Sequence, residues 1–394
     1  MTLPIIRMTD INLNQQRVVI REDFNVPLHE GVITSDARLI AALPTIRLAL
    51  DQGAGVILLS HLGRPTEGDG QAALSLAPIA VRLAELLNHP VRFERDWLQG
   101  VTLKPGEIIL CENVRFNVGE KTNHPDLAQK IAALGDVYVM DAFATAHRTE
   151  ASTTGAIHCA KIACAGPLLM QELDALSHAM ATPQKPVLAI IGGAKISTKL
   201  QLLDSISKVA DLILVGGGIL NTFMAAAGFA IGASLVERDL IPTALTLMQK
   251  LASRGTNLPL PTDVVVAKTF SATASATIKA VTEVAPDDLI LDIGPDTAAA
   301  WAILITSAKT IIWNGPVGVF EFPPFSHGTQ TLAQAIAQAN AFSLAGGGDT
   351  IAAIEQCGIG ANISYLSTGG GAFLEYLEGK TLPAVAALIE VSHA

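Results

Sequence analysis

Cysteine is scarce in this chain, and its scarcity excludes two classes of protein. Four cysteines occur among 394 residues, and no two are spaced as Cys-x-x-Cys. Four scattered thiols are too few for a disulfide framework, and the missing spacing argues against a zinc ribbon or a redox motif. The composition therefore fits a reducing compartment, and we expect a cytoplasmic protein.

Positive charge is scarce as well. The 26 lysines and arginines are outnumbered by 36 acidic residues, which gives a formal net charge of −10. This balance argues against a protein that binds nucleic acid or is drawn to an anionic membrane. Since half of the residues are hydrophobic and only 16% are charged, the chain can bury a large core, and long disordered stretches are not expected.

No segment predicts export or membrane insertion. The first ten residues lack the basic region and apolar run of a secretory signal. Residues 212–236 contain no charged side chain and are numerous enough to cross a bilayer, but the glycine triplet at 216–218 would weaken a helix in lipid. We predict a buried strand, a glycine turn and a buried helix here, with a membrane span as the alternative.

Short apolar runs alternate with stretches of helical periodicity along the whole chain, which is typical of a buried parallel sheet covered by helices. At about 150 residues per domain, the length predicts two or three domains. The predicted fold class is α/β, with two doubly wound parallel-sheet (Rossmann-like) domains joined by a hinge helix. The predicted strands are Val18–Arg21, Val56–Ser60, Ile108–Cys111, Val137–Met140, Val187–Ile191, Leu212–Val215, Val264–Ala267, Leu289–Asp292, Thr310–Trp313, Phe342–Ala345 and Ile363–Ser367.

A change in composition near Gly166 marks the predicted domain boundary. Gly166-Pro167 precedes a helical stretch, and a proline-containing segment ending at Pro186 follows it. We predict a first domain at 1–167, an inter-domain helix and hinge at 168–185 and a second domain at 186–379. Other predictions are helices at Ser35–Asp51, Leu76–Asn88 (with Ser75 as N-cap) and Leu168–Met180, and a flexible surface loop at 271–277.

Ligands of open α/β sheets bind beyond the carboxyl ends of the strands, so the residues that follow each strand matter most. In the first half, four predicted strands are followed by polar segments, three of which hold an arginine: Arg64, Arg115 and Arg148. Eleven of the thirteen arginines lie within residues 1–166. Because arginine binds carboxylates and phosphates through two parallel hydrogen bonds, we predict a basic pocket for an anionic substrate. The alternatives are structural turns and a solvated face.

The second half has glycine where the first has arginine. Glycine lets backbone N–H groups approach a phosphate, and a helix N-terminus adds a favourable dipole. No cluster matches the Gly-x-Gly-x-x-Gly or Walker pattern, and the protein-kinase triplets Asp-Phe-Gly and His-Arg-Asp are absent. A nucleotide site of another design is predicted, with plain tight turns as the alternative. The glycine clusters lie at 192–193, 216–218, 294, 315, 346–348 and 369–371, with Lys195, Lys199 and Asp349 nearby.

Ten segments share the motifs of one family, in that family's order: Arg21–Pro27, Ser60–Pro65, Glu112–Phe116, Asp141–Arg148, Gly192–Lys199, Gly216–Phe223, Asp292–Thr297, Trp313–Glu321, Gly346–Thr350 and Ser367–Val385. Through them the chain resembles the phosphoglycerate kinases from end to end. The resemblance implies a monomeric enzyme of glycolysis and gluconeogenesis that transfers a phosphoryl group reversibly, with Mg²⁺, from 1,3-bisphosphoglycerate to ADP. It also implies that the tail 380–394 packs back on the first domain and that the domains close on their ligands.

The residue roles that the resemblance implies divide between the two halves. Catalysis would depend on Arg38, Lys195 and the backbone N–H groups at Gly348 and Gly371. The substrate, 3-phosphoglycerate or its acyl phosphate, would be bound by Asp23, Phe24, Asn25, Arg38, His61, Leu62, Gly63, Arg64, Arg115 and Arg148. ATP or ADP would be bound by Gly193, Lys195, Lys199, Gly217, Asn314, Pro316, Val319, Glu321, Gly347, Gly348, Asp349 and Thr350, with Glu321 on the ribose and Asp349 on Mg²⁺.

The chain departs from the family pattern at Glu22, Ala144 and Ile219, where the family often has Val, Gly and Met. Glu22 adds negative charge beside an anion site, and alternation along the strand predicts that its side chain points away from the pocket.

Two alternatives are a non-catalytic nucleotide-dependent scaffold on the same fold and a kinase of another carboxylate such as acetate. The presence of Arg38, Lys195 and Asp349 disfavours the scaffold. The second alternative would leave the strand-end arginines without a role.

Overall fold

The structure is a computed structural model that describes residues 4–29 and 31–393. The first three residues of the segment considered as a secretory signal lie outside this range. The chain divides into two compact units, of which unit 1 comprises residues 1–174 and 381–394 and unit 2 comprises residues 175–380. Among the described residues, no helix is both long enough and apolar enough to cross a membrane.

Unit 1 contains a six-stranded parallel sheet and a two-stranded hairpin. Its strands are β1 (Arg17–Arg21), β2 (Leu28–His29), β3 (Val32–Ile33), β4 (Gly55–Leu59), β5 (Val91–Glu94), β6 (Ile108–Cys111), β7 (Val137–Met140) and β8 (Ala163–Ala165). Its helices are α1 (Ala37–Asp51), α2 (Ala77–Leu87), α3 (Pro125–Ala132), α4 (Ala156–Cys159) and, from the C-terminus, α13 (Pro383–Ser392). A further helix, α5 (Pro167–Met180), runs across the division between the units.

The order of the large sheet in unit 1 is β5-β6-β4-β1-β7-β8, and all of its strands are parallel. The four inner strands are predicted from their apolar runs to within one residue at each end. β5 and β8 are not predicted, because β5 is only partly buried and β8 has three residues. Burial of the inner strands on both faces explains why they contain almost no polar residues.

The start of α2 differs from the prediction. Leu76, which cannot cap with its side chain, occupies the N-cap position. Glu112 accepts hydrogen bonds from the Ser75 hydroxyl at 2.7 Å and from the Leu76 N–H at 2.9 Å, and so fixes this turn. Ser75 lies one residue before the N-cap, and its hydroxyl still accepts a hydrogen bond from the Ala77 N–H at 3.2 Å.

The C-terminal helix α13 packs within unit 1 against α4 and β8. The Ala384 N–H donates to the carbonyl of Ala146 at 3.0 Å. The Ile6 N–H donates to the Ser392 hydroxyl at 3.1 Å. The two ends of the chain therefore meet in the same unit.

Unit 2 contains a parallel sheet and a smaller antiparallel one. Its strands are β9 (Val187–Ile191), β10 (Leu212–Val215), β11 (Asp263–Ala267), β12 (Thr277–Ala280), β13 (Leu289–Ile293), β14 (Thr310–Asn314), β15 (Phe342–Gly346) and β16 (Tyr365–Ser367). Its helices are α6 (Leu200–Ile206), α7 (Gly217–Ala226), α8 (Ile241–Ser253), α9 (Pro295–Ser307), α10 (His327–Gln338), α11 (Gly348–Cys357) and α12 (Gly371–Leu377).

The pairing of two strands in unit 2 differs from the predicted rhythm. The parallel sheet has the order β10-β9-β14-β15-β16, whereas β11 and β13 pair with each other in the antiparallel sheet β12-β11-β13. An apolar run shows that a strand is buried but not which direction its neighbour takes, so the sequence does not separate the two sheets. The alanine-rich stretch at 271–277 forms turns that lead into β12 at Thr277.

Close packing of a turn against β1 generates a stability prediction. A Cβ atom at Gly135 would lie 2.6 Å from the carbonyl oxygen of Arg17 and 2.7 Å from Val19 Cγ2. The adjacent Asp136 N–H donates to the same carbonyl at 2.8 Å, which holds the turn in place. Gly135→Ala should lower the free energy of unfolding by about 1–3 kcal/mol through overpacking, measured by urea denaturation.

Gly70→Ala is the matched control, because a Cβ atom at Gly70 would meet no atom within 4 Å. Its unfolding midpoint should equal that of the unchanged protein. Equal midpoints for both variants would contradict the close approach at Gly135.

Candidate active site

The parallel sheet of unit 1 brings the predicted substrate residues to one edge. β6, β4, β1 and β7 are neighbours in that sheet. Because carboxyl ends of parallel strands share an edge, the segments after these four strands lie side by side. They contain Asp23 after β1, His61 after β4, Arg115 after β6 and Arg148 after β7.

Arg38 is tied to the segment that follows β1. As the second residue of α1, it places Nη1 2.7 Å from Asp23 Oδ2 and 3.2 Å from the carbonyl oxygen of Asn25. Asn25 Oδ1 in turn accepts a hydrogen bond from the Gly63 N–H at 2.9 Å. These contacts fix the loops after β1 and β4 to each other.

Arg115 is almost fully buried and is paired with a carboxylate that the sequence does not single out. Its Nη2 lies 3.1 Å from Glu150 Oε1, and its Nη1 donates to the carbonyl of Gly63 at 2.8 Å. Burial lowers the pKa of Arg115, and Glu150 partly opposes that shift. Arg148 lies 3.9 Å from the same Glu150 oxygen.

Three buried polar atoms of this cluster have no hydrogen-bond partner among the described residues: Arg115 Nε, Arg148 Nη1 and Glu150 Oε2. Buried donors are rarely left unpaired in native proteins. Two of these three atoms belong to guanidinium groups, so the edge can accept an anion.

Other members of the predicted substrate set differ in exposure. Phe24 and Leu62 have side chains buried in the core, so they can reach a ligand only through their backbones. The Phe24 N–H already donates to the Ser60 hydroxyl at 2.8 Å. The Arg64 side chain, by contrast, is exposed.

Glu22 is buried rather than exposed to solvent, with 1% of its surface accessible. Its pKa is raised by burial and by the nearby carboxylates of Asp141 and Asp23. Its Oε1 has no hydrogen-bond partner among the described residues. Burial and the neighbouring carboxylates therefore both shift Glu22 towards the neutral acid, which weakens the negative charge that the sequence places beside an anion site.

The parallel sheet of unit 2 gathers the predicted nucleotide residues in the same way. Segments after β9, β10, β14, β15 and β16 lie along its carboxyl edge, and three of them touch through their backbones. A Cβ atom at Gly192 would lie 1.8 Å from the carbonyl oxygen of Pro316, and one at Gly216 would lie 2.2 Å from Val317 Cα. Glycine is required at both positions because no side chain fits there.

Lys199, Asn314 and Thr350 form a polar network at this edge. Lys199 Nζ donates to Asn314 Oδ1 at 2.5 Å, and Asn314 Nδ2 donates to the carbonyl of Gly346 at 2.7 Å. Thr350 Oγ1 accepts from the Gly315 N–H at 2.8 Å and donates to the carbonyl of Gly346 at 2.9 Å. Burial lowers the pKa of Lys199.

The remaining predicted nucleotide residues are open to solvent to different degrees. Lys195, Glu321, Gly348 and Asp349 are exposed, and Gly348 and Asp349 form the first turn of α11. A Cβ atom at Gly348 would meet no atom of the described residues within 4 Å, so there is free space beside this position. The partly exposed set is Gly193, Gly217, Pro316, Val319 and Gly347.

Two carboxylates hold the loops of this edge: Asp292, which begins one of the family motifs, and Glu237, which the sequence does not single out. Asp292 is buried, which raises its pKa to about 7, and Oδ2 accepts from the Gly328 N–H at 2.7 Å. It also packs against Gly318, three residues before Glu321. Glu237 accepts hydrogen bonds from the Ser197 N–H at 2.8 Å and the Ser197 hydroxyl at 2.7 Å. Ser197 lies between Lys195 and Lys199 in the chain.

A comparison with known protein families identifies the family of the chain. The family model described as phosphoglycerate kinase matches residues 8–380. The chain belongs to the phosphoglycerate kinase family. Its reaction is therefore the family's reaction, the reversible transfer of a phosphoryl group between 1,3-bisphosphoglycerate and ADP in glycolysis.

Two solved phosphoglycerate kinase structures are similar to the chain over its whole length. The enzyme from Coxiella burnetii is 51% identical, with a TM-score of 0.96, and the match covers 99% of this chain and 100% of that one. The enzyme from Pyrococcus horikoshii OT3 is 32% identical, with a TM-score of 0.80, and the match covers 98% and 99% of the two chains. Membership of this family decides against a kinase of acetate or a similar carboxylate.

The anchor at Glu237 generates a kinetic prediction for the phosphoglycerate kinase reaction. Hydrogen bonds from Ser197 and the nearby charge of Lys195 lower the pKa of Glu237, so the carboxylate is ionised at neutral pH. Glu237→Gln weakens the hold on the turn that carries both lysines. If Lys195 and Lys199 bind ATP as the sequence predicts, the KM for ATP should rise about fivefold in a steady-state assay, the order expected for one lost hydrogen bond.

The KM for 3-phosphoglycerate serves as the internal control and should stay constant. An unchanged KM for ATP would show that the turn keeps its position without the carboxylate.

Proposed function

We propose that the chain carries out Mg²⁺-dependent transfer with the carboxyl group of 3-phosphoglycerate as the acceptor, and that unit 1 binds this substrate while unit 2 binds ATP or ADP. This proposal rests on Arg115 Nε and Arg148 Nη1, which have no hydrogen-bond partner in the described part of the chain and can donate to an anion at the edge of unit 1. His61 and Arg38 lie at the same edge and suit the carboxylate, hydroxyl and phosphate groups of the substrate.

The proposed catalytic roles follow from the charge of the group that moves. Phosphoryl transfer needs little covalent chemistry from the protein, so positioning and neutralisation of charge dominate. Arg38 would act from the substrate side and Lys195 from the nucleotide side. The N–H groups at Gly348 and Gly371, in the first turns of α11 and α12, would add hydrogen bonds to the transferring group.

No general base is required in this scheme. The acceptor is a carboxylate, which is ionised at neutral pH and carries no proton that must be removed. Burial and the surrounding arginines lower the pKa of His61, so its imidazole is neutral and acts as a hydrogen-bonding group. His61 therefore serves binding in this proposal.

In this proposal, Asp349 is the residue that would bind Mg²⁺. Its carboxylate is exposed in the first turn of α11, next to the proposed phosphate site. No cluster of three or more histidine, cysteine or acidic side chains suited to a metal occurs in the described part of the chain. Mg²⁺ is commonly bound by one or two carboxylates together with substrate phosphates and water, so one aspartate beside a nucleotide is sufficient. The ion would neutralise phosphate charge.

The assignment of Arg38 generates a prediction that tests the proposed function. In a coupled assay with 3-phosphoglycerate, ATP and Mg²⁺, Arg38→Ala should lower kcat by roughly 10²-fold, the scale of one lost preorganised electrostatic group. Nucleotide affinity, measured by calorimetry, should stay normal. An unchanged kcat in this variant would contradict the catalytic role proposed for Arg38.

Arg47→Ala is a matched control for this experiment. Arg47 lies on the same helix α1, is exposed, and donates to the carbonyl of Leu86 at 3.2 Å, away from the strand ends. Its kcat should equal that of the unchanged enzyme. Absence of any turnover by the unchanged enzyme would contradict the proposed function as a whole.

Closure of the two units is a further prediction of this division of ligands. The reacting atoms must approach to roughly 3–3.5 Å, which requires both ligands at one place. Small-angle scattering should therefore give a smaller radius of gyration with 3-phosphoglycerate and the nucleotide together than with neither. Equal radii would count against closure. Scattering at several concentrations would also test the proposed monomer.

A further inference from the structure

A buried line of polar groups runs beneath the substrate edge of unit 1, and the proposed reaction does not use it. Arg21, at the end of β1, has no accessible surface, and neither has Glu120 or Ser152. Burial of an arginine away from water is costly unless its charge is compensated and its N–H groups are bonded. The buried Arg21 therefore requires the hydrogen bonds that its neighbours accept.

Glu120 and Ser152 hold the guanidinium of Arg21 from one side. Arg21 Nε donates to Ser152 Oγ at 2.9 Å, and the Ser152 hydroxyl donates to Glu120 Oε1 at 2.5 Å. Glu120 Oε2 also accepts from the Ser152 N–H at 3.0 Å. A single hydroxyl thus links the cation to its counter-charge, which fixes the rotation of the guanidinium.

The other side of the same guanidinium faces His61. Arg21 Nη2 lies 3.4 Å from His61 Nδ1, and Arg21 Nη1 donates to the carbonyl of Glu22 at 2.5 Å. A guanidinium can only donate, so Nδ1 must accept and cannot carry a proton. Burial and the charges of Arg21, Arg115, Arg148 and Arg38 lower the pKa of His61, which keeps the ring neutral. The ring proton is then on Nε2.

A competing arrangement is present in the same site. Asp23 Oδ1 lies 3.9 Å from His61 Nδ1 and is the nearby acceptor for an Nδ1–H in the other tautomer. Asp23 already accepts a hydrogen bond from Arg38 at 2.7 Å, and its distance to His61 is longer than a hydrogen bond. The tautomer of His61 therefore depends on whether Nδ1 accepts a hydrogen bond from Arg21 or donates one to Asp23.

We propose that Arg21, held by Ser152 and Glu120, is a positioning residue that fixes His61 as the Nε2-protonated tautomer. His61 then presents an N–H donor at the edge where Arg115 and Arg148 also present donors. A neutral donor binds an oxygen of the substrate without requiring any change in protonation of the ring. The part of this inference that concerns substrate binding rests on the proposed function, whereas the tautomer does not.

The direct test is nitrogen NMR of the full chain labelled with ¹⁵N in its histidine rings, with the His61 signals assigned by their loss in His61→Gln. At pH 8, above the pKa of about 7 that burial gives Glu120, His61 should show a protonated Nε2 and an unprotonated Nδ1. A protonated Nδ1 in the unchanged protein would overturn the proposal. This measurement needs no variant to fold other than His61→Gln.

Ser152→Ala breaks the link between Arg21 and Glu120, and Tyr138→Phe is its matched control. The Tyr138 hydroxyl donates to the carbonyl of Ser152 at 2.5 Å, so its loss disturbs the same residue but leaves the side-chain line intact. In Ser152→Ala, His61 should populate the Nδ1-protonated tautomer, whereas Tyr138→Phe should keep that of the unchanged protein. The same shift in both variants, or in neither, would overturn the proposal.

Kinetics separate this inference from the proposed function. In Ser152→Ala the KM for 3-phosphoglycerate should rise about fivefold, the order of one lost hydrogen bond, while the KM for ATP and kcat stay constant. A changed tautomer with an unchanged KM would uphold the positioning role of Arg21 and overturn the substrate role of His61. An equal rise in both KM values would indicate general loosening and contradict the positioning role.

Discussion

Burial of positive charge at the strand ends is the constraint on which unit 1 depends. Arg21 and Arg115 lose almost all contact with water, which is tolerated only where carboxylates and hydrogen-bond acceptors replace it. Glu150 pairs directly with Arg115, and Glu120 accepts from Ser152 beside Arg21 and is mostly ionised only above its pKa of about 7. The segments that carry Ser152 and Glu150 lie next to Arg21 and Arg115 because the buried guanidinium groups need hydrogen-bond acceptors and negative charge. The neutral state of His61 is a second consequence, because four arginines surround a buried ring.

Unit 2 meets a different constraint with different residues. Its edge must bring backbone N–H groups close together, so the loops after β9, β10 and β14 touch where a side chain would not fit. Few charges are needed there, since the N-terminus of α11 supplies a favourable dipole and Lys195 and Lys199 supply positive charge. Under the proposed function, the uneven distribution of arginine and glycine along the sequence would reflect these two ways of binding an anion.

The sequence predicts the inner strands of unit 1 and the segments that follow them because both depend on local signals. Apolar runs predict β1, β4, β6 and β7, and the motifs that follow them include Asp23 and His61. Glu120, Glu150 and Glu237 are not predicted, because their roles depend on contacts with Ser152, Arg115 and Ser197, which lie 32 to 40 residues away in the chain. The antiparallel pairing of β11 with β13 is missed for a related reason, since an apolar run does not encode strand direction.

The contacts of the charged residues bear on how tightly the ligands are held. Arg38 donates to Asp23 and Lys199 donates to Asn314, so an anion at either position replaces a hydrogen bond instead of adding one. The net gain from such an exchange is small compared with that of a free charge. Arg115 Nε and Arg148 Nη1, in contrast, have no hydrogen bond to give up among the described residues, although Arg148 Nη1 lies 3.9 Å from Glu150 Oε1. In the proposed function, recognition of the substrate would therefore fall mainly on these two groups, while Arg38 and Lys199 would stay bonded to Asp23 and Asn314 until the exchange becomes favourable.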